Sequence, residues 1–116
     1  MRQPIPTPVQ AEVRQLAKVA FPNFRGRKFY VNRTESVNAR SYWDGGSRRY
    51  FVFVRLADRA RLPMPTSHPV FDAIAPSVEH LEIPAGAVCV EHHVFCGKDA
   101  GVTFHCRPDI ALPALM

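Results

Sequence analysis

A chain of 116 residues, 47% apolar and 22% charged, has the size and make-up of one globular domain able to bury its own core without metal or disulfide support, which excludes a disordered or fibrous chain. Its formal charge of +5, from 15 Lys and Arg against 10 Asp and Glu, favours anionic partners through the field alone. No run approaches the ~20 apolar residues of a membrane span, the 3 cysteines follow no secretory leader, and the 11 prolines oppose long helices, so the expectation is a cytoplasmic protein off the membrane, with reduced thiols, short strands and extended loops.

Pro4, Pro6 and Pro8 hold residues 1–7 as an extended arm. Thr7 then suits an N-cap, Pro8 the first helical position and Gln10 the capping-box partner, and Val9, Val13, Leu16, Ala17 and Ala20 recur at helical spacing. The pattern predicts a helix over 8–20, ended by Pro22. Residues 27–57 read as β-rich. A short strand lies at 28–32, and the strands at 36–43 and 47–56 are joined by Gly45-Gly46, a pair that tolerates the positive φ of a tight hairpin turn. In that register Ala39 faces Val52 and Val37 faces Val54 on an apolar side. Tyr42 faces Arg49, Arg40 faces Phe51 and Asn38 faces Phe53 on a basic, aromatic side.

Residues 58–77 carry Pro63, Pro65, Pro69 and Pro76 and are expected to form a long loop. Residues 78–107 are again β-rich, with a weak strand at 78–83 and a second hairpin, 87–96 with 102–107, across Gly97–Gly101. Pairing Cys96 with Val102 sets Val94 against Phe104 and His92 against Cys106 on one side. Glu91, His93, Phe95, Thr103 and His105 then share the other.

This hairpin concentrates Cys89, Glu91, His92, His93, Cys96, His105 and Cys106, but parity splits the set between two faces and no CxxC or HExxH spacing occurs. Glu91, His93 and His105 are the metal ligands the register favours if one binds. Their ordinary reading is of buried thiols and cross-strand hydrogen bonds, with no metal and no cofactor. Ser67 beside His68 points two ways in an extended segment and is not read as a catalytic pair. Neither GxGxxG nor a Walker loop is present.

The basic side of the first hairpin is the stronger functional candidate. Cations for phosphates and aromatic platforms for bases are what single-stranded nucleic acid requires, and Arg40, Tyr42, Arg48, Arg49, Phe51 and Arg55 supply both, with Lys98 at the other hairpin tip. Arg49–Leu56 resembles the central strand of the RNA-recognition motif only in part, because Tyr50 and Val52 replace its small residues and the βαββαβ order is missing. The expected architecture is a single α+β domain over 1–116, an N-terminal helix packed on a twisted antiparallel sheet or partly open β-barrel of five or six strands. The expected function is a non-enzymatic binding or adaptor protein engaging nucleic acid or an acidic protein surface. Two alternatives are a self-associating interaction module, as a homo-oligomer, and a small hydrolase or metal-dependent enzyme using the C-terminal hairpin.

Overall fold

The computed structural model describes residues 7–38, 45–58 and 80–110. Helix α1 spans Thr7–Ala20 and begins at the residue expected to cap it. Val9, Val13, Leu16, Ala17 and Ala20 are all buried, so the apolar stripe read from the spacing is the face that docks. Each fully buried Val or Leu contributes roughly 1.5–3 kcal/mol. After Ala20, backbone bonds from Phe21 N to Ala17 O and from Phe24 N to Phe21 O turn the chain sharply at Pro22.

The strands are β1 (Phe29–Arg33), β2 (Ser36–Asn38), β3 (Ser47–Arg55), β4 (His80–Glu82), β5 (Ala87–Phe95) and β6 (Lys98–Cys106), with a 3-10 turn at Leu56–Asp58. They form a four-stranded mixed sheet in the order β1-β6-β5-β3 and a separate two-stranded sheet of β2 and β4. The fold is α+β as expected, but the sheet is neither wholly antiparallel nor closed toward a barrel. Strand β1 runs parallel to β6, with Phe29 beside Val102 and Val31 beside Phe104. No local turn encodes that pairing, which joins segments far apart in the chain.

The first hairpin differs from its expected register. Val37 pairs with Leu81 in the small sheet, and Val54 pairs with Val88 in the large one, so they do not face each other. The expected pairings through residues 39–44 lie outside the described residues, as do the arm at 1–6 and all but the first residue of the loop at 58–77.

Three layers result. Val54, Val88, Val90, Val102, Phe104 and Cys106 pack under the helix, with Val31 and Phe24. On the reverse of the same sheet Phe51, Phe53 and Cys89 pack with Val37, Leu81 and Ile83 from the small sheet. Strand β3 is thus covered on both sides by its apolar residues, which is why two aromatics expected on a surface lie inside.

The C-terminal hairpin keeps its expected faces and changes its register. Phe104 sits opposite Val90, not Val94, and the turn is Cys96-Gly97, not a five-residue loop. Cys96 has φ 51° and Gly97 φ 79°, and positive φ at both central residues defines the tight turn that suits the twist of two paired strands. Parity survives because the shift is an even number of residues.

Candidate functional site

Of the residues expected to form the basic aromatic face, Arg49 and Phe51 are each 2% exposed, as is their neighbour Phe53. At these positions the face is interior. Arg40 and Tyr42 lie outside the described residues. Arg48 is exposed on the helix side of β3, Arg55 is exposed at its end, and Lys98 is exposed beside the β5–β6 turn. The expected set is therefore divided between the two sides of one sheet.

Arg49 is held by a buried polar chain. Its Nε donates to Glu91 Oε2, and its guanidinium lies 4.9 Å from the centre of the Phe51 ring. Glu91 Oε1 accepts from His105 Nε2 at 2.6 Å, and the Asn32 amide meets His105 Nδ1 at 3.2 Å. With the Asn32 amide donating to Nδ1, the ring proton stands on Nε2. Burial alone drives the Glu91 carboxyl upward, but the hydrogen bonds from His105 and Arg49 and the Arg49 charge outweigh it and take the group down to about 2. Both ring nitrogens of His105 are engaged, which leaves none to act as a base. Cys89, across the ladder, is buried, and burial followed by the Glu91 charge pushes its thiol well up, so it is a poor nucleophile.

His93 does not oppose His105, since it pairs with Gly101 while His105 pairs with Cys89. Among the described residues no group of three or more His, Cys, Asp or Glu side chains is placed to hold a metal ion.

A second constellation lies on the helix side, where the chain leaves α1. Phe21, Phe24, Tyr50, Val52 and His92 line a groove of about 340 Å³ together with Ala20, Pro22, Asn23 and Phe51. The His92 ring lies 5.2 Å from Phe21 and 5.1 Å from Phe24 between centroids, and 6.3 Å from Tyr50. Its Nε2 meets Asp99 Oδ1 at 2.7 Å, and Asp99 Oδ2 accepts from the backbone N–H of Arg25 at 2.8 Å. The Arg25 bond, resisted by partial burial and reinforced by His92, holds the Asp99 carboxyl below the usual range.

A β-bulge aims this carboxylate. The ladder runs His93 to Gly101 and then Val94 to Asp99, so Ala100 is an extra residue on β6. Without it Asp99 would stand opposite Phe95, on the reverse side of the sheet, whereas the bulge brings it to the side of Val94 and His92. Gly101 fits the distortion, having φ 147° and lying so close to Tyr30 that a Cβ would stand 3.0 Å from its ring. Replacing Asp99 by alanine is expected to cost about 1–2 kcal/mol, as a partly exposed charge-assisted bond is lost, and to speed hydrogen exchange at the Arg25 amide. Unchanged exchange at that amide would show that the contact does not persist in solution.

Exposed cations border the groove. Lys18 donates to Phe24 O at 3.0 Å, which seats its ammonium at the helix end of the groove. Arg25 follows Phe24 directly, and the chain runs on through Arg27 and Lys28 to the middle of β6, where Lys28 O accepts from Val102 N and the Lys28 side chain leaves on the reverse side, by Gly101. Arg48 stands two residues from Tyr50 on β3, opposite Val94 and so next to the bulge. Lys98, opposite Phe95, stands at this end of the sheet on its reverse side. The acidic side chain in their midst, Asp99, is already engaged twice.

Sequence reasoning passed over Phe21, Phe24 and Asp99, and weighed His92 only among the possible metal ligands of the C-terminal hairpin. The available signal was the aromatic spacing around Pro22 followed at once by Arg25, Arg27 and Lys28. The His92–Asp99 pair had no sequence signal, because the bulge that makes it reverses the parity of β6. All three cysteines are free, Cys96 exposed and the others buried. Among the described residues no helix is long and apolar enough to cross a membrane. No protein-family model, curated protein or solved structure matches the chain.

Proposed function

We propose that this chain is a non-enzymatic binding protein of the cytoplasm that holds single-stranded nucleic acid at the β5–β6 turn end of its sheet. One observation carries the reading: exposed Lys18, Arg25 and Arg48 adjoin the lining of an aromatic groove, Lys18 bonded to Phe24 O, Arg25 next in sequence to Phe24, and Arg48 two residues from Tyr50 on the same side of β3. Cations that track a phosphate backbone beside rings that accept bases are the two parts such binding needs. Binding fits better than catalysis because His105 and Cys89 are locked in the interior. The free thiols suit a reducing compartment. An acidic protein surface would use the cations and leave the aromatic groove without a role.

Fluorescence anisotropy with a labelled oligothymidylate, titrated over salt, tests the reading. With about three or four phosphate contacts the logarithm of affinity is expected to fall with the logarithm of salt at a slope of roughly −2 to −3. The double variant Arg25→Glu/Arg48→Glu is expected to lose about tenfold or more, uniformly across sequences. Salt-independent binding, no binding at low salt, or equal affinity for polyglutamate would overturn the proposal.

A further inference from the structure

We infer that the groove at the end of α1 takes one unstacked nucleobase of the bound strand, while the phosphates on either side of it lie on Arg25 and Arg48; this rests on the nucleic-acid reading above. Three observations converge on a base as the occupant. The walls are rings, half-buried Phe21, Tyr50 and His92 backed by the buried Phe24, and a volume of about 340 Å³ is at the lower end of the size of small-molecule sites. An extended aliphatic chain would not need such walls, whereas every base has a π face that stacks on them.

The electrostatics choose between base and phosphate. Asp99 places a carboxylate against His92 at the groove wall, 2.7 Å from Nε2, and holds the backbone of Arg25 at the rim with its other oxygen. A phosphate seated at His92 would meet that carboxylate. A neutral base would not, and the phosphates attached to it find the exposed guanidinium groups of Arg25 on one side and Arg48 on the other, beyond Tyr50. Asn23, an exposed lining residue, offers an amide with both donor and acceptor to the edge of the base.

The groove also exists before any ligand arrives. Phe24 is 1% exposed, its carbonyl is tied to Lys18, and its ring is wedged edge-on between Phe29 and His92. A preformed wall costs little ordering on binding.

The test compares a labelled oligothymidylate with an abasic strand of the same length, on wild-type protein, Tyr50→Ala and Tyr50→Phe. Loss of one stacking platform is expected to weaken binding of the intact strand roughly 5- to 150-fold in Tyr50→Ala, while Tyr50→Phe, which keeps the ring, stays near wild type. Wild-type protein is expected to bind the abasic strand at least roughly 5- to 150-fold more weakly than the intact one. This arm needs no variant and remains decisive if Tyr50→Ala does not fold. Irradiation of a strand bearing 5-iodouracil is expected to crosslink the peptide containing Phe21 and Phe24 or that containing Tyr50.

Equal wild-type affinity for intact and abasic strands would overturn the base-binding groove and leave backbone binding by the cations standing. Absence of binding to either strand would overturn both. Thymidine monophosphate bound as tightly as the strand would overturn the strand as ligand, and crosslinks confined to other peptides would overturn the location.

Discussion

Replacement of Glu91 by alanine is expected to destabilise the fold by about 3–5 kcal/mol, because it removes the carboxylate that faces a guanidinium buried in the sheet. Arg49 is 2% exposed and Glu91 4%, so water cannot take over the carboxylate's place beside the buried charge. His105 loses its acceptor in the same step. The double change Arg49→Met/Glu91→Leu removes both charges and is expected to cost much less than Glu91→Ala alone, since an apolar pair of similar volume avoids the desolvation penalty. Urea unfolding of the three proteins measures the difference. A double variant as unstable as the single one would show that shape, not charge, sets the cost.

The same chain makes a pH prediction. Glu91 is depressed in the folded protein to about 2 from its ordinary 4.5. A carboxyl with a lowered folded value contributes stability that is fully present above the unfolded value and is lost as pH falls through the folded one. Roughly 3 kcal/mol is therefore expected to disappear between about pH 4.5 and pH 2, and this loss should flatten in Arg49→Met/Glu91→Leu. Identical acid dependence in wild type and double variant would show that the network contributes nothing to acid stability.

Truncation of Phe24 is the second change with a large expected effect, about 3–5 kcal/mol for Phe→Ala in a packed core. This ring closes the end of the helix-side core and forms the groove wall, packing edge-on against Phe29 at 6.0 Å and against His92 at 5.1 Å. Its surroundings are tight: a Cβ on Gly26 would come within 2.7 Å of the ring. Phe24→Leu fills much of the space and is expected to lose less than half as much. Thermal and urea unfolding distinguish these outcomes, and a loss under about 1 kcal/mol for Phe24→Ala would mean that the turn after α1 is not packed in solution.

The helix was legible because every cue to it is local. Thr7, Pro8 and Gln10 mark its start, Pro22 its end, and the buried stripe repeats within one short segment. The two faces of the C-terminal hairpin were legible for a similar reason, since alternation is a property of the strand itself. The pairing of that hairpin was not. A cysteine at positive φ gives no turn signal, and the extra residue Ala100 displaces the ladder without any mark in composition.

Sidedness was the deeper difficulty. Arg49, Phe51 and Phe53 alternate with Tyr50, Val52 and Val54 in the way a strand with one wet side would, and nothing in β3 says that Val37, Leu81 and Ile83 cover its reverse. Burial of Arg49 depends on Glu91, which lies 42 positions away and is brought opposite Phe51 by the ladder.

By itself the sequence determined the α+β class, the helix with its buried stripe, the faces of β5 and β6, and the abundance of cations, all consequences of interactions among residues a few positions apart. Only the tertiary structure decided that β1 runs parallel to β6, that Arg49 lies inside, and that Phe21, Phe24, Tyr50 and His92 line one groove with Asp99 bonded to His92. Those arrangements follow from packing between layers and from one bulge, and their free energy resides in contacts between distant parts of the chain that no local pattern records.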